Sequence, residues 1–154
     1  MRIIHFSDFH LIKATVGNSR ALIDRMIKAL KEVNKESKID LVVFSGDLVD
    51  VGGNGEPISE VFDLFRTEVI ARFELELAIP QSHFLFVGGN HDMLRSNDTG
   101  DEDKELDSKL NSISSLANIT RSDCTDGYKR TIPFKEYEKA FYSSYIGGTD
   151  QLEY

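Results

Sequence analysis

Three short runs rich in β-branched and aromatic residues, Arg2 to Phe6, Asp40 to Phe44 and His83 to Val87, each stop at a polar or glycine turn. That combination predicts three strands. Between the first two, Leu22, Met26, Leu30 and Val33 recur at helical spacing behind the capping candidates Asn18 and Ser19. Between the second and third, Pro57 suits a first helical turn, and Phe62, Phe65, Val69, Phe73 and Leu77 step along one face. The order strand, helix, strand, helix, strand predicts right-handed βαβ units, hence an α/β fold with a βαβαβ core and a parallel sheet. Past Asp92 the character changes. The acidic stretch Ser96 to Asp107 reads as solvated, and Arg121 to Lys129 reads as a loop. Two further helical stripes are expected, Leu106, Leu110, Ile113 and Leu116, then Phe134, Tyr137, Phe141 and Tyr145.

Three polar clusters follow the strands directly: Asp8-Phe9-His10, Gly46-Asp47-Leu48-Val49-Asp50 and Gly88-Gly89-Asn90-His91-Asp92. In a parallel sheet the carboxyl ends of the strands share one edge, where open α/β folds bind ligands. Asp8, Asp47 and Asn90, about forty positions apart, are therefore expected to converge there with their neighbours. Each cluster alone has a plainer reading: Asp-x-His and Gly-Asp as turns, and Gly89 to Asp92 as a polar turn with an Asp cap. Their joint placement at successive strand ends favours a shared site. Three carboxylates crowded together repel one another, and divalent cations relieve that repulsion. Oxygen and imidazole donors without a thiolate suit Mn, Fe or Zn. With an extended backbone, Asp8 and His10 would project to the same side.

Composition limits what such a site serves. With 26 Asp+Glu against 18 Lys+Arg, the formal net charge of −8 disfavours non-specific nucleic-acid binding through a basic surface. A nucleic-acid substrate stays compatible, because bound cations offset local negative charge. No apolar run approaches the ~20 residues of a membrane span, and Met1 to Asp8 turns polar too early for a secretory leader. The single cysteine, Cys124, cannot close a disulfide within the chain, which suits a reducing cytoplasm.

Asp8-x-His10, Gly46-Asp47-x-x-Asp50 and Gly89-Asn90-His91-Asp92 together resemble the motifs of the calcineurin-like metallophosphoesterase superfamily, over about the first 92 residues. The resemblance implies a two-metal phosphoester hydrolase. Asp8 and His10 would hold the first ion, Asp47 would bridge both, and Asn90 would bind the second. A water activated by the two ions would attack phosphorus, and His91, oriented by Asp50, would give a proton to the leaving oxygen. Asp92 would stabilise a turn. The second motif continues as Val51-Gly52 rather than Arg-Gly, which disfavours the protein-phosphatase branch and favours a phosphodiesterase or nuclease. Phe65 to Pro80, Phe84 to Asp92, Arg95 and Phe134 to Tyr142 also resemble bacterial members at the N-termini of large multidomain proteins, several associated with defence against phage.

The chain also departs from the superfamily pattern. The family supplies further metal-binding histidines from its C-terminal half, whereas the four histidines here are His5, His10, His83 and His91. Its fold is a sandwich of two sheets between helices, and three strands make up part of one. The expectation is an N-terminal portion of such a domain, with a core over 1–95, an extension over 96–154 and the second metal site incomplete. Its partners would be a phosphoester substrate and further domains of a longer chain, or other subunits. Hydrolysis by these residues alone would then be weak or absent. The competing expectation is a non-catalytic metal-binding or interaction module. His5 and His83 are expected to be structural, His5 as a packed or hydrogen-bonded core residue. Cys124 is expected to be incidental, and Arg95 to serve as a phosphate contact or a surface ion pair.

Overall fold

The computed structural model describes residues 1–50, 56–94 and 128–146. The acidic stretch, the Leu106 to Leu116 stripe, Arg95 and Cys124 lie outside the described residues. Strands β1 (Ile3–Phe6), β2 (Leu41–Ser45) and β3 (Phe84–Val87) form one parallel sheet in the order β1-β2-β3. Helix α1 (Val16–Glu36) joins the first two strands. A helical segment joins the second and third, made of α2 (Ile58–Phe65), a π-helical turn (Arg66–Ile70) and α3 (Ala71–Leu77). Helix α4 (Tyr128–Ile146) follows, so Tyr128 and Lys129 are helical rather than the end of a loop. The chain is an α/β protein with the expected βαβαβ order, and no described helix is long and apolar enough to cross a membrane.

Register explains the core. Phe6 lies opposite Phe44 and Phe44 opposite Phe86, so three phenyl rings form one row across the sheet. Neighbouring rings stack with centroids 5.6 and 5.5 Å apart. Phe65 from α2 meets Phe44 edge-on at 5.4 Å, and Phe141 from α4 meets Phe86 edge-on at 4.9 Å. Burying each such ring is worth roughly 1.5–3 kcal/mol, so this row holds helices and sheet together. At the sheet's amino-terminal end, the Arg2 guanidinium donates to the Val33 and Ser37 carbonyls, neutralising the carbonyl end of α1.

Two helical details differ from the sequence pattern. In α1 the buried face is Ile23, Ile27 and Leu30, while Leu22 is 70% exposed. The helix also starts at Val16 without a side-chain cap, ahead of Asn18 and Ser19. Both phases carry apolar residues at steps of three and four, so periodicity alone did not choose between them, and packing in the fold selected Ile23 and Ile27 with Leu30. In the second crossover the whole stripe Phe62, Phe65, Val69, Phe73 and Leu77 is buried. Three successive steps of four residues would drift about 120° around an α-helix. The wider π turn at Arg66–Ile70 takes up that drift and keeps the stripe on the sheet.

The π turn also carries Glu68, buried and held by a two-pronged contact from Arg20 of α1. The Arg20 hydrogen bond lowers the Glu68 carboxyl below its ordinary value. A lowered folded-state value means that the pair stabilises the fold fully above the unfolded value near 4.5, and loses that contribution as pH falls through the lowered one. Glu68→Gln should therefore cost about 1 kcal/mol at pH 7 by thermal unfolding, with the two proteins converging in acid.

All described helices cover one sheet face. The other presents Ile3 (46% exposed), Leu85 (48%) and Val87 (56%), with Leu41 and Val43 half-buried between them. His5 lies on this open face with Nε2 2.6 Å from Ser45 Oγ, so it is hydrogen-bonded, as expected, but is not a core residue. Parallel sheets are ordinarily covered on both sides. The protein should bind a hydrophobic dye, and Leu85→Lys with Val87→Thr should reduce that binding without lowering the melting temperature. A dilute monomer by light scattering that binds no dye would mean that this face is covered.

Candidate metal centre

The three polar clusters leave the sheet at its carboxyl edge and stay tied to one another by backbone hydrogen bonds. Asp8 N donates to Gly46 O (3.1 Å), His10 N to Asp47 O (2.9 Å) and Leu11 N to Leu48 O (3.2 Å), while Asp50 N donates to Leu11 O (3.0 Å). The β1–β2 ladder thus continues past the strands, ending in a parallel bridge between Leu11 and Val49. Phe9 turns inward against Phe44 and Phe65, with centroids 5.7 and 5.5 Å away. Asp8 and His10 flank this anchor and turn outward.

The backbone at these residues is not extended as the Asp-x-His spacing suggested. Asp8, His10 and Asp47 all lie in the left-handed region, with φ of 57°, 44° and 53°. Asp tolerates that region better than most residues, but three such positions in one site still need outside support. The loop hydrogen bonds supply it. Gly46, at φ 104°, leaves room for the third cluster, because a Cβ there would lie 2.8 Å from the Gly89 Cα.

The side chains converge. His10 Nε2 lies 3.7 Å from Asp8 Oδ1 and 3.9 Å from Asp47 Oδ2. His10 Nδ1 lies 4.0 Å from Asp50 Oδ2, and His91 Nδ1 lies 3.1 Å from Asp50 Oδ1. The two imidazoles meet edge to face at 4.5 Å. In two overlapping sets, Asp8–His10–Asp47 and His10–Asp50–His91, one ligand atom from each residue lies within 4.8 Å of the others. Of the carboxylates in these two sets Asp47 is the most enclosed, with its side chain 16% exposed against 29% for Asp50 and 67% for Asp8. Asn90 is exposed and opens the 3-10 turn Asn90–Asp92, beside Gly89.

This donor set fits a divalent cation. Carboxylate oxygens and an imidazole nitrogen face one point, and at Asp8 and Asp47 the ion-pair partner among the described residues is His10. Like charges held this close call for positive charge. With Nε2 of His10 facing Asp8 and Asp47, its Nδ1 faces Asp50 at 4.0 Å, an electrostatic contact longer than a hydrogen bond. The sequence assigned Asp50 to His91 and missed this second link. Its signal was that Asp50 lies three positions after Asp47, on the loop that pairs with Leu11.

Asp92, expected to stabilise a turn, does more. It is fully buried, and Oδ1 accepts from Leu48 N (2.8 Å) and Val49 N (3.1 Å) while Oδ2 accepts from Gly89 N (2.8 Å). Burial raises its carboxyl above the ordinary value, and the three N–H donors oppose that rise. In return, Asp47 Oδ1 accepts from His91 N at 3.0 Å. A Cβ on Gly89 would collide with the Asp47 carboxylate and lie 3.0 Å from its Cγ. Gly89→Ala should therefore weaken divalent-cation binding at least tenfold by calorimetry, since the carboxylate that must move is the most enclosed of the candidate donors.

Comparison with known proteins bears on this geometry. Neither curated proteins nor solved structures yield a match to this chain. A family model described as calcineurin-like phosphoesterase matches residues 1–150. With nearly the whole sequence inside that match and its acidic and imidazole donors gathered on one sheet edge, the chain belongs to the calcineurin-like phosphoesterase family.

Proposed function

We propose that this chain is a metal-dependent phosphoester hydrolase of the phosphodiesterase or nuclease type, using two divalent ions, preferably Mn. The observation that carries the reading is the convergence of Asp8, His10 and Asp47, with Asp50 and His91 adjoining. Asp8, His10 and Asp47 would hold one ion, with Asp47 shared and the Asn90 amide oxygen reaching the second. Bound cations would supply charge that neutralises phosphoryl oxygens and lets a water give up a proton to solvent, so that hydroxide is available to attack phosphorus.

The remaining work falls to the chain's own groups. His91 has Nδ1 held 3.1 Å from Asp50 Oδ1, which assigns the proton-carrying role to its other ring nitrogen, Nε2. Donation from Nε2 to the leaving oxygen matters most for a poorly leaving alkoxide and little for an aryl oxide. Asp50 fixes the tautomer and orientation of His91. A cytoplasmic setting suits the single cysteine.

Further imidazoles for the second ion are scarce. His5 is engaged with Ser45 on the open sheet face, and His83 lies at the amino-terminal end of β3, remote from the site edge. No histidine follows residue 91. The second ion would therefore be held weakly by this chain, with its remaining ligands coming from further domains or another subunit. Turnover of an alkyl phosphodiester with Mn should fall far below the roughly 10 s⁻¹ typical of enzymes. Any rate observed should vanish in Asp47→Ala and drop at least a hundredfold in His91→Asn. A rate indifferent to both substitutions would sink the reading. A single weak Mn site in calorimetry, with no turnover under any condition, would leave the non-catalytic metal-binding module.

A further inference from the structure

We infer that Asp92 is a positioning residue for the metal centre: by accepting the Leu48 and Val49 amides, it fixes which way the Asp47 carboxylate and the His91 imidazole face. The inference rests on the metal-dependent reading above. Its ground is a reciprocal crossing of two loops, in which an aspartate from each accepts backbone N–H from the other. Asp92 Oδ1 takes the amides of the two residues after Asp47, and Asp47 Oδ1 takes the amide of the residue before Asp92.

The crossing has a directional consequence. His91 N occupies Asp47 Oδ1, so Oδ2 is the oxygen turned to His10 Nε2, 3.9 Å away. Asp47 itself is in the left-handed region, a conformation it would leave readily were the following peptides not anchored. Leu48 N and Val49 N are those anchors, both in fully buried residues. Asp92 Oδ2 also closes back on Gly89 N, which shapes the 3-10 turn carrying Asn90 and His91. A plain turn cap needs the Gly89 contact alone. A buried carboxylate is costly unless several donors meet it, and two of the three donors here belong to the other loop. Proposed ligands on both loops therefore depend on one side chain that touches neither the ion nor the substrate.

The test compares Asp92→Asn with wild type and with Val69→Ala, a core substitution on the crossover helix that lowers stability away from the site. Asn keeps the shape of the side chain but turns one acceptor into a donor facing backbone N–H groups. Mn affinity is measured by calorimetry well below each melting temperature, with folding checked by circular dichroism. The expected result is a 10–100-fold loss of Mn affinity in Asp92→Asn and wild-type affinity in Val69→Ala. Wild-type affinity in Asp92→Asn, while Asp47→Ala abolishes binding, would overturn the inference and leave the metal reading standing. Absence of Mn binding by the wild type would overturn both, as would equal losses in Asp92→Asn and Val69→Ala for the positioning role. Should Asp92→Asn fail to fold, hydrogen exchange of the metal-free wild type decides. Slow exchange at Leu48, Val49, Gly89 and His91 supports a preformed crossing, and fast exchange at these amides overturns it.

Discussion

Gathering Asp8, Asp47 and Asp50 beside two imidazoles at one sheet edge is electrostatically unfavourable before any cation arrives, and the surrounding structure can be understood as what opposes that repulsion. Surface ion pairs contribute little to such a task, and long cationic side chains would compete with the ion itself. The chain uses neutral backbone dipoles instead. The His91 amide points at the Asp47 carboxylate, the Leu48, Val49 and Gly89 amides point at the buried Asp92 carboxylate beneath it, and backbone bonds from Asp8, His10 and Leu11 tie the first loop to the second. An N–H group stabilises a carboxylate without carrying net charge, so the centre stays negative and receptive to a cation.

That arrangement needs a rigid base, which the phenylalanine row supplies. Phe6, Phe44 and Phe86 lie one or two positions before the loops begin, and Phe9 plugs the first loop into the same cluster. A shift in any strand by one residue would turn these rings to the open face and displace the polar clusters attached to them. Core packing and ligand placement are therefore set by the same register.

Much of this was legible in the residues. The strands, their parallel order and the shared edge to which the three polar clusters lead followed from runs of Val, Ile and Phe ending at Gly and Asp. The phase of α1 was not legible, because Leu22 and Ile23 begin equally good helical stripes and only the sheet distinguishes them. Nor was the left-handed backbone at Asp8 and His10, which arises from pairing with a loop some forty residues away. His5 looked like a core residue because a strand in a parallel sheet is ordinarily buried on both faces. The hydrogen bond to Ser45 at the uncovered face removes that premise. The π turn left a trace in the overlong spacing of Val69, Phe73 and Leu77, visible once the drift of a regular helix is counted.

The open face and the metal centre are continuous. Ser45 and Val87, the last residues of β2 and β3 on that face, immediately precede Gly46 and Gly88, where the site loops start. Any layer that covered Leu41, Val43, Leu85 and Val87 would therefore come up beside the second and third clusters. Water would be excluded from one flank of Asp47 and His91, and the lower local dielectric would strengthen both the attraction for a cation and the repulsion among carboxylates left without one. In this geometry a cover on the sheet's second face would therefore change the electrostatic environment of the carboxylate–imidazole cluster.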